Sequence, residues 1–227
     1  MIELHENFQY CLDEYNPSGK AEKLTAEQIT RLEMLLPQPI MDFLKVHGFE
    51  SFHNGLFQMC DPQIMRPLLA MIFKGDKDFH HRDCLVIGYT AFGQLICWSN
   101  ILDDFYIFLP ENTVYSRRLA RPDAVVKASK DHIASGIIPD AEDVDFLDIM
   151  GNPMYEACQK AHGKLESGEC YGFFPALAIS GVFGPFRRVE NIKRVKALEH
   201  FSILAQMDTF YLVHLASEGY VPVRPIG

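Results

Sequence analysis

Between residues 26 and 36 the apolar positions fall at Ile29, Leu32 and Leu36, the three- and four-residue spacing of one helical face. Thr25 and Gln28 stand at capping-box separation with Leu24 placed as a staple, so this helix is predicted to begin at Ala26. Ahead of it, Phe8, Tyr10, Leu12 and Tyr15 precede the turn cluster Asn16-Pro17-Ser18-Gly19 and predict a short helix followed by a turn. Pro37 and Pro39 restart the chain, residues 40–47 read as a helix stopped by Gly48, and residues 56–60 as a short strand. Asp61-Pro62 predicts the cap of a helix running to Phe73, with Pro67 implying a late start or a kink.

At Cys84 the period changes to two. Residues 85–89, 94–99, 105–109 and 113–115 are rich in strand formers and separated by short turns, which predicts an antiparallel meander with the upstream helices over one face. Arg121-Pro122-Asp123 reads as a boundary between a region 1–122 and a region 123–227. Beyond it a helix is expected over 125–136, then one of about three turns capped by Asp140 and ending near Gly151-Asn152-Pro153, then another over 154–165. The run from Tyr171 to Ile179, broken by Gly181, predicts a short buried strand leading into a loop. Residues 197–207 place Leu198, Phe201, Leu204 and Ala205 on one helical face, opposite Glu199, Ser202 and Gln206. Residues 211–216 fit a strand or a continued helix, and 221–227 read as a loop. The fold class expected is α+β, a mostly antiparallel central sheet with helices packed on it, one compact unit of two halves.

A length of 227 residues, 48% of them hydrophobic, is enough for an ample core. The formal net charge of -9 disfavours direct binding to a nucleic-acid backbone, which needs surplus Lys and Arg, and suits docking onto a basic surface. Ordinary acidic proteins share that balance. Six cysteines without CxxC spacing and a start, MIELHENF, without a basic leader point to a reduced, cytoplasmic compartment. The longest apolar stretch, residues 84–98, is too short and too often interrupted to span a bilayer.

Two stretches carry a recognisable pattern. Downstream stand Tyr171, Gly172, Phe173, Pro175, Ala176, Leu177, Ala178 and Gly181, then Asn191, Ile192 and Val195, then Glu199, His200, Ile203, Leu204, Ala205 and Gln206. Upstream stand Asn54-Gly55-Leu56-Phe57, Asp61-Pro62, and Thr90, Ala91, Phe92, Gly93, Gln94 and Leu95 with Trp98. Together these resemble the bacterial GAD-like proteins, with their YGFxPALALGG and EHLxxLAQL blocks. Ser180 replaces the first glycine of the LGG, and Gln94 an aspartate of the upstream motif. The resemblance implies an immunity protein encoded beside a type VI secretion toxin, some relatives neutralising a DNase. A cognate toxin is then the expected partner, with no cofactor, no metal, no membrane and no direct nucleic acid. A more distant likeness to SMI1/KNR4-type immunity proteins supports the same fold class.

Candidate chemistry is sparse. Five acids in nine positions, Asp140, Glu142, Asp143, Asp145 and Asp148, exceed what a helix start needs and form the expected electrostatic partner patch, which Asp103 and Asp104 extend. The aromatic hairpin from Thr90 to Trp98 is either a partner surface or core. His80, His81, Asp83 and Cys84 are metal-binding types without a second ligand pair, and read as a solvated loop. Glu199 and His200 invite an acid/base or small-ligand reading, yet no nucleophile, phosphate loop or paired carboxylates accompany them, and no catalytic residue is assigned. A scaffold without a toxin is the third reading. Arg187, Arg188, Lys193, Arg194 and Lys196 form a basic segment that local acids are expected to neutralise.

Overall fold

Every residue from Cys84 to Thr90 is buried, which a strand achieves only when both faces of its sheet are covered. The computed structural model describes residues 2–120, 128–217 and 219–227. Its N-terminal elements are α1 (Glu6–Glu14), α2 (Ala26–Glu33), α3 (Gln38–His47), β1 (Ser51–Phe52), β2 (Phe57–Met59) and α4 (Pro62–Ile72). The meander follows as β3 (Cys84–Thr90), β4 (Gln94–Ser99), β5 (Asp103–Phe108) and β6 (Thr113–Ser116). Then come α5 (Arg117–Ala120), α6 (Lys130–Ser135), α7 (Ala141–Val144), α8 (Tyr155–His162), β7 (Glu169–Phe173) and α9 (Leu177–Ser180). The chain closes with β8 (Ile192–Lys196), α10 (Ala197–Leu204), β9 (Tyr211–Ala216) and β10 (Gly219–Pro225).

Eight strands form one sheet in the order β1-β2-β3-β4-β5-β6-β9-β10, antiparallel except where β6 meets β9. This is the α+β arrangement expected from the pattern. Strand alternation divides the core: Leu85, Ile87, Ile96 and Trp98 pack beneath α1, α2, α3 and α6. Cys84, Val86, Leu95, Cys97, Phe105 and Ile107 pack beneath α4 and α10. The expected single covered face is therefore two, because the upstream helices divide between the faces and α4 takes the second together with α10, which returns from the far end of the chain. A third apolar cluster joins Leu56 and Phe92 to Met154, Tyr155, Tyr171, Phe173 and Leu177. All six cysteines are buried thiols that fill these cores. No helix among the described residues is long and apolar enough to cross a membrane.

The capping box of α2 forms as predicted. The helix after Asp61 does not start late: Asp61 accepts from Gln63 N at 2.9 Å and from Arg31 of α2 at 2.8 Å, so a tertiary ion pair sets its first turn despite Pro67. The three-turn helix expected after Asp140 is a single turn. Asp145 leaves helical geometry and its carboxylate instead accepts from Met154 N and Tyr155 N, at 3.2 and 3.0 Å, at the start of α8. The buried strand expected across Tyr171 to Ile179 is β7, ending at Phe173, and Leu177–Ser180 is one helical turn. Residues 221–227, expected as a loop, largely belong to β10, where Pro222 and Pro225 are tolerated because the strand lies at the sheet edge. The Arg121-Pro122-Asp123 boundary and the first part of the predicted 125–136 helix lie outside the described residues, and α6 is the part seen.

Candidate functional site

Phe92, at the turn between β3 and β4, is where the two motif stretches meet. Its ring lies 5.7 Å from Phe146, 5.8 Å from Tyr171 and 6.3 Å from Phe173. Two hydrogen bonds fix the encounter: Tyr171 N donates to Ala91 O at 2.7 Å, and the Gln58 side chain donates from Nε2 to Glu169 O at 3.0 Å. Thr90 Oγ1 accepts from Gln94 N at 3.1 Å, while Gly93 takes the positive φ of the turn, 86°. Trp98 does not join this group. It is fully buried in the other core, its Nε1 donating to Asn100 Oδ1 at 3.1 Å. Ala176 is buried, Pro175 is exposed, and Gly181 ends α9 at φ 87°.

Glu199 and His200 do not act together, because neighbours on a helix point about 100° apart. Glu199 is exposed; His200 is buried and its Nε2 lies against Gly172, where a Cβ would stand 2.7 Å away. The space beside the imidazole is about 10 Å³, room for one water at most. Burial pushes the His200 pKa down, favouring the neutral ring. His200 is thus a packing partner of the motif strand. Gly172→Ala is expected to destabilise the protein by about 1–3 kcal/mol through overpacking, and His200→Ala in the same chain to restore part of that loss. Urea unfolding of the single and double variants checks this; equal stability of Gly172→Ala and wild type would refute the contact.

The acidic cluster is divided among several tasks. Asp140 accepts from the Tyr15 hydroxyl, Asp145 serves α8, and Asp148 closes its own loop by accepting from Met150 N at 2.7 Å and Asn152 N at 2.9 Å. Glu142 and Asp143 are exposed and make no ion pair among the described residues. Asp103 is buried on β5 against Arg118, and Asp104 accepts from the Tyr106 hydroxyl at 2.9 Å. Of the basic segment, Arg194 and Lys196 pair with Glu169 at 3.4 and 3.3 Å. His80 and Asp83 are exposed while Cys84 points into the core, and no group of three or more potential metal ligands occurs among the described residues.

A concavity lies beside the Phe92 cluster. It is a cleft of about 310 Å³ walled by Phe108, Phe146 and Tyr220 and bearing Glu111, Asp143 and Arg187. The Arg187 guanidinium stacks 4.2 Å over the Phe146 ring, and its Nε donates to Leu147 O. Burial raises the Glu111 pKa, and Arg187 offsets this only in part. Next to the cleft, Ile149 N bonds Arg187 O at 3.2 Å, bringing the loop of Met150 beside the loop of Phe183. Met150 is 78% exposed and Phe183 90%, with Ile179 at 72% on the preceding turn. Sequence reasoning missed this face. Phe183 inside a glycine loop was the available signal, since an aromatic there has no helix or strand to bury it.

Two family models match the chain in succession, the GAD-like domain over residues 6–106 and the C-terminal domain of the type VI secretion system immunity protein Tdi1 over residues 138–208. The chain belongs to the GAD-like family of type VI secretion immunity proteins. An immunity protein implies a cognate toxin as its partner. The crystal structure of Atu4351 from Agrobacterium tumefaciens shares the fold, with a TM-score of 0.84 at 26% identity over 99% of this chain and 98% of that one. No curated protein matches the chain. In this immunity protein the cleft draws Phe92 and Asp143 from the matched regions, and Phe108, Glu111 and Tyr220 from outside both.

Proposed function

We propose that the toxin neutralised by this immunity protein is a DNase, and that neutralisation is occlusion: the face around the cleft covers the enzyme's active site or its DNA-binding surface. The observation that carries this reading is the combination of exposed Phe183 and Met150 with the acids of residues 140–148, among which Glu142 and Asp143 are uncommitted. Large apolar side chains exposed on adjoining loops mark interaction sites, and surplus acid beside them complements a surface evolved to hold phosphates. The net charge of -9 acts in the same direction by steering encounter. Binding alone accounts for the function, and the divergence of Glu199 and His200 supports it over the acid/base reading. The cytoplasm, where such a toxin would meet its DNA, is the compartment this reading requires.

Co-expression with the cognate toxin tests it. Growth rescue, co-purification of a complex and loss of DNA cleavage in the purified complex are expected. Absence of both rescue and co-purification would remove the immunity pairing, and a toxin that kills without cleaving DNA would remove the DNase assignment.

A further inference from the structure

The cleft has a composition that its neighbours do not need for folding. Glu111 ends the 3-10 turn that begins with buried Leu109 and Pro110, yet its own carboxylate accepts no hydrogen bond among the described residues. Asp143 and Asp145 also line the cleft, the latter bound to the start of α8, and Arg187 is the one cation among the lining residues, its charge favoured by Glu111 and Asp148. The walls are aromatic faces: Phe146, Phe108, and Tyr220, whose ring lies 5.3 Å from that of Phe108. Aromatic faces and carboxylates together attract a cation with an apolar stem, and the surplus of negative charge opposes a phosphate. Arg187 already illustrates the preference, since it lies over Phe146 well within cation–π range. A volume of about 310 Å³ leaves room beside it for another long side chain.

We propose that this cleft is the anchor pocket for one basic side chain of the toxin, an arginine or lysine whose stem lies between the aromatic walls and whose charge meets Glu111 and Asp143. The proposal rests on the immunity reading and adds the chemistry by which the toxin is held. Glu111 is its key residue, because a carboxylate already partly desolvated gains most from a cation brought to it. Arg187 is a resident competitor for the same walls.

The test has two arms, on wild type, Glu111→Gln, Arg187→Ala and Tyr220→Ala, each first shown to melt as wild type does. In the first, n-butylguanidinium is titrated calorimetrically: binding weakens about tenfold in Glu111→Gln, the order expected for loss of a charge-assisted contact, weakens in Tyr220→Ala, and strengthens in Arg187→Ala. In the second, a catalytically inactivated toxin is bound. Its dissociation constant rises about tenfold in Glu111→Gln and is unchanged in Glu14→Gln, an exposed residue of α1. Wild-type affinity of Glu111→Gln for a toxin that wild type binds would overturn the anchor and leave the immunity reading standing. A toxin that wild type does not bind would remove both. Binding of n-butyl phosphate that strengthens in Glu111→Gln and disappears in Arg187→Ala would overturn the proposal in favour of an anion site.

Discussion

Phe183→Asp combined with Met150→Asp is expected to abolish protection against the toxin while leaving the immunity protein folded. Both side chains lie largely in water, at 90% and 78% exposure, so exchanging them for aspartate removes little from the core. Surface changes of that kind normally shift stability by no more than about 0.5 kcal/mol. At an interface the same residues would be buried anchors, and truncating an anchor typically costs about 2 kcal/mol or more. Two such losses, with carboxylates then left in the buried contact, correspond to at least about a hundredfold weaker binding. The readouts are toxin affinity, growth rescue and melting temperature together. Undiminished affinity in a normally folded double variant would exclude this face from the interface. Glu142→Lys with Asp143→Lys should act differently, slowing association chiefly at low salt.

Asp76→Ala is expected to be the most damaging single change to the fold. Asp76 lies between α4 and β3, and its side chain is 1% exposed. It holds both arms of Arg224, from edge strand β10, at 2.5 and 3.0 Å, and accepts from Asp78 N, Phe79 N and Gly227 N. Removing one partner of such a buried pair costs about 3–5 kcal/mol, because the remaining donors lose their acceptor. For a domain of this size that lowers the melting temperature by roughly 6–15 °C. Arg224→Met should cost less, since Asp76 would keep its three backbone donors. Equal losses in the two variants would show that the ion pair, and not the backbone cage, carries the stability.

The pH dependence follows from the same carboxylate. Arg224 and the backbone N–H groups outweigh desolvation and hold the folded-state pKa of Asp76 far below the ordinary aspartate value. A depressed carboxylate contributes stability that is complete above its unfolded pKa, about 4, and lost as pH falls through the folded value. Wild type should therefore lose stability steeply below about pH 4, and Asp76→Ala should lose less over that range. Urea unfolding at pH 7 and pH 3 compares the two slopes.

The helices and strands with strong local instructions were legible in advance. The Thr25–Gln28 capping box, the Gly48 stop and the alternation from Cys84 through Ser116 each act within a few residues, and each element forms where the pattern places it. The misreadings occur where a distant group overrides the local signal. Asp145 could be read only as one more acid of a helix start, whereas the backbone N–H groups that claim it belong to Met154 and Tyr155. Residues 221–227 contain two prolines and look like a tail, until an edge position removes the need for their missing donors. The candidate site was half visible. Asp143 and Asp145 stood out by number, but Phe108 and Glu111, at the end of β5, meet the distant Tyr220 only through β6, β9 and β10.

Composition and periodicity by themselves determined the α+β class and the antiparallel meander, and the motif residues around Phe92 and Tyr171 carried the resemblance to the family. These properties depend on contacts near in sequence or on residue identity alone. Tertiary structure decided that the sheet is covered on both faces, that the last two strands complete it, and that carboxylates, aromatic rings and one arginine converge on a single cleft beside exposed Phe183. The reason is physical: covering a face or lining a cavity depends on which distant segments fold back onto it, and hydrophobic spacing says that a side chain must be buried without saying against what.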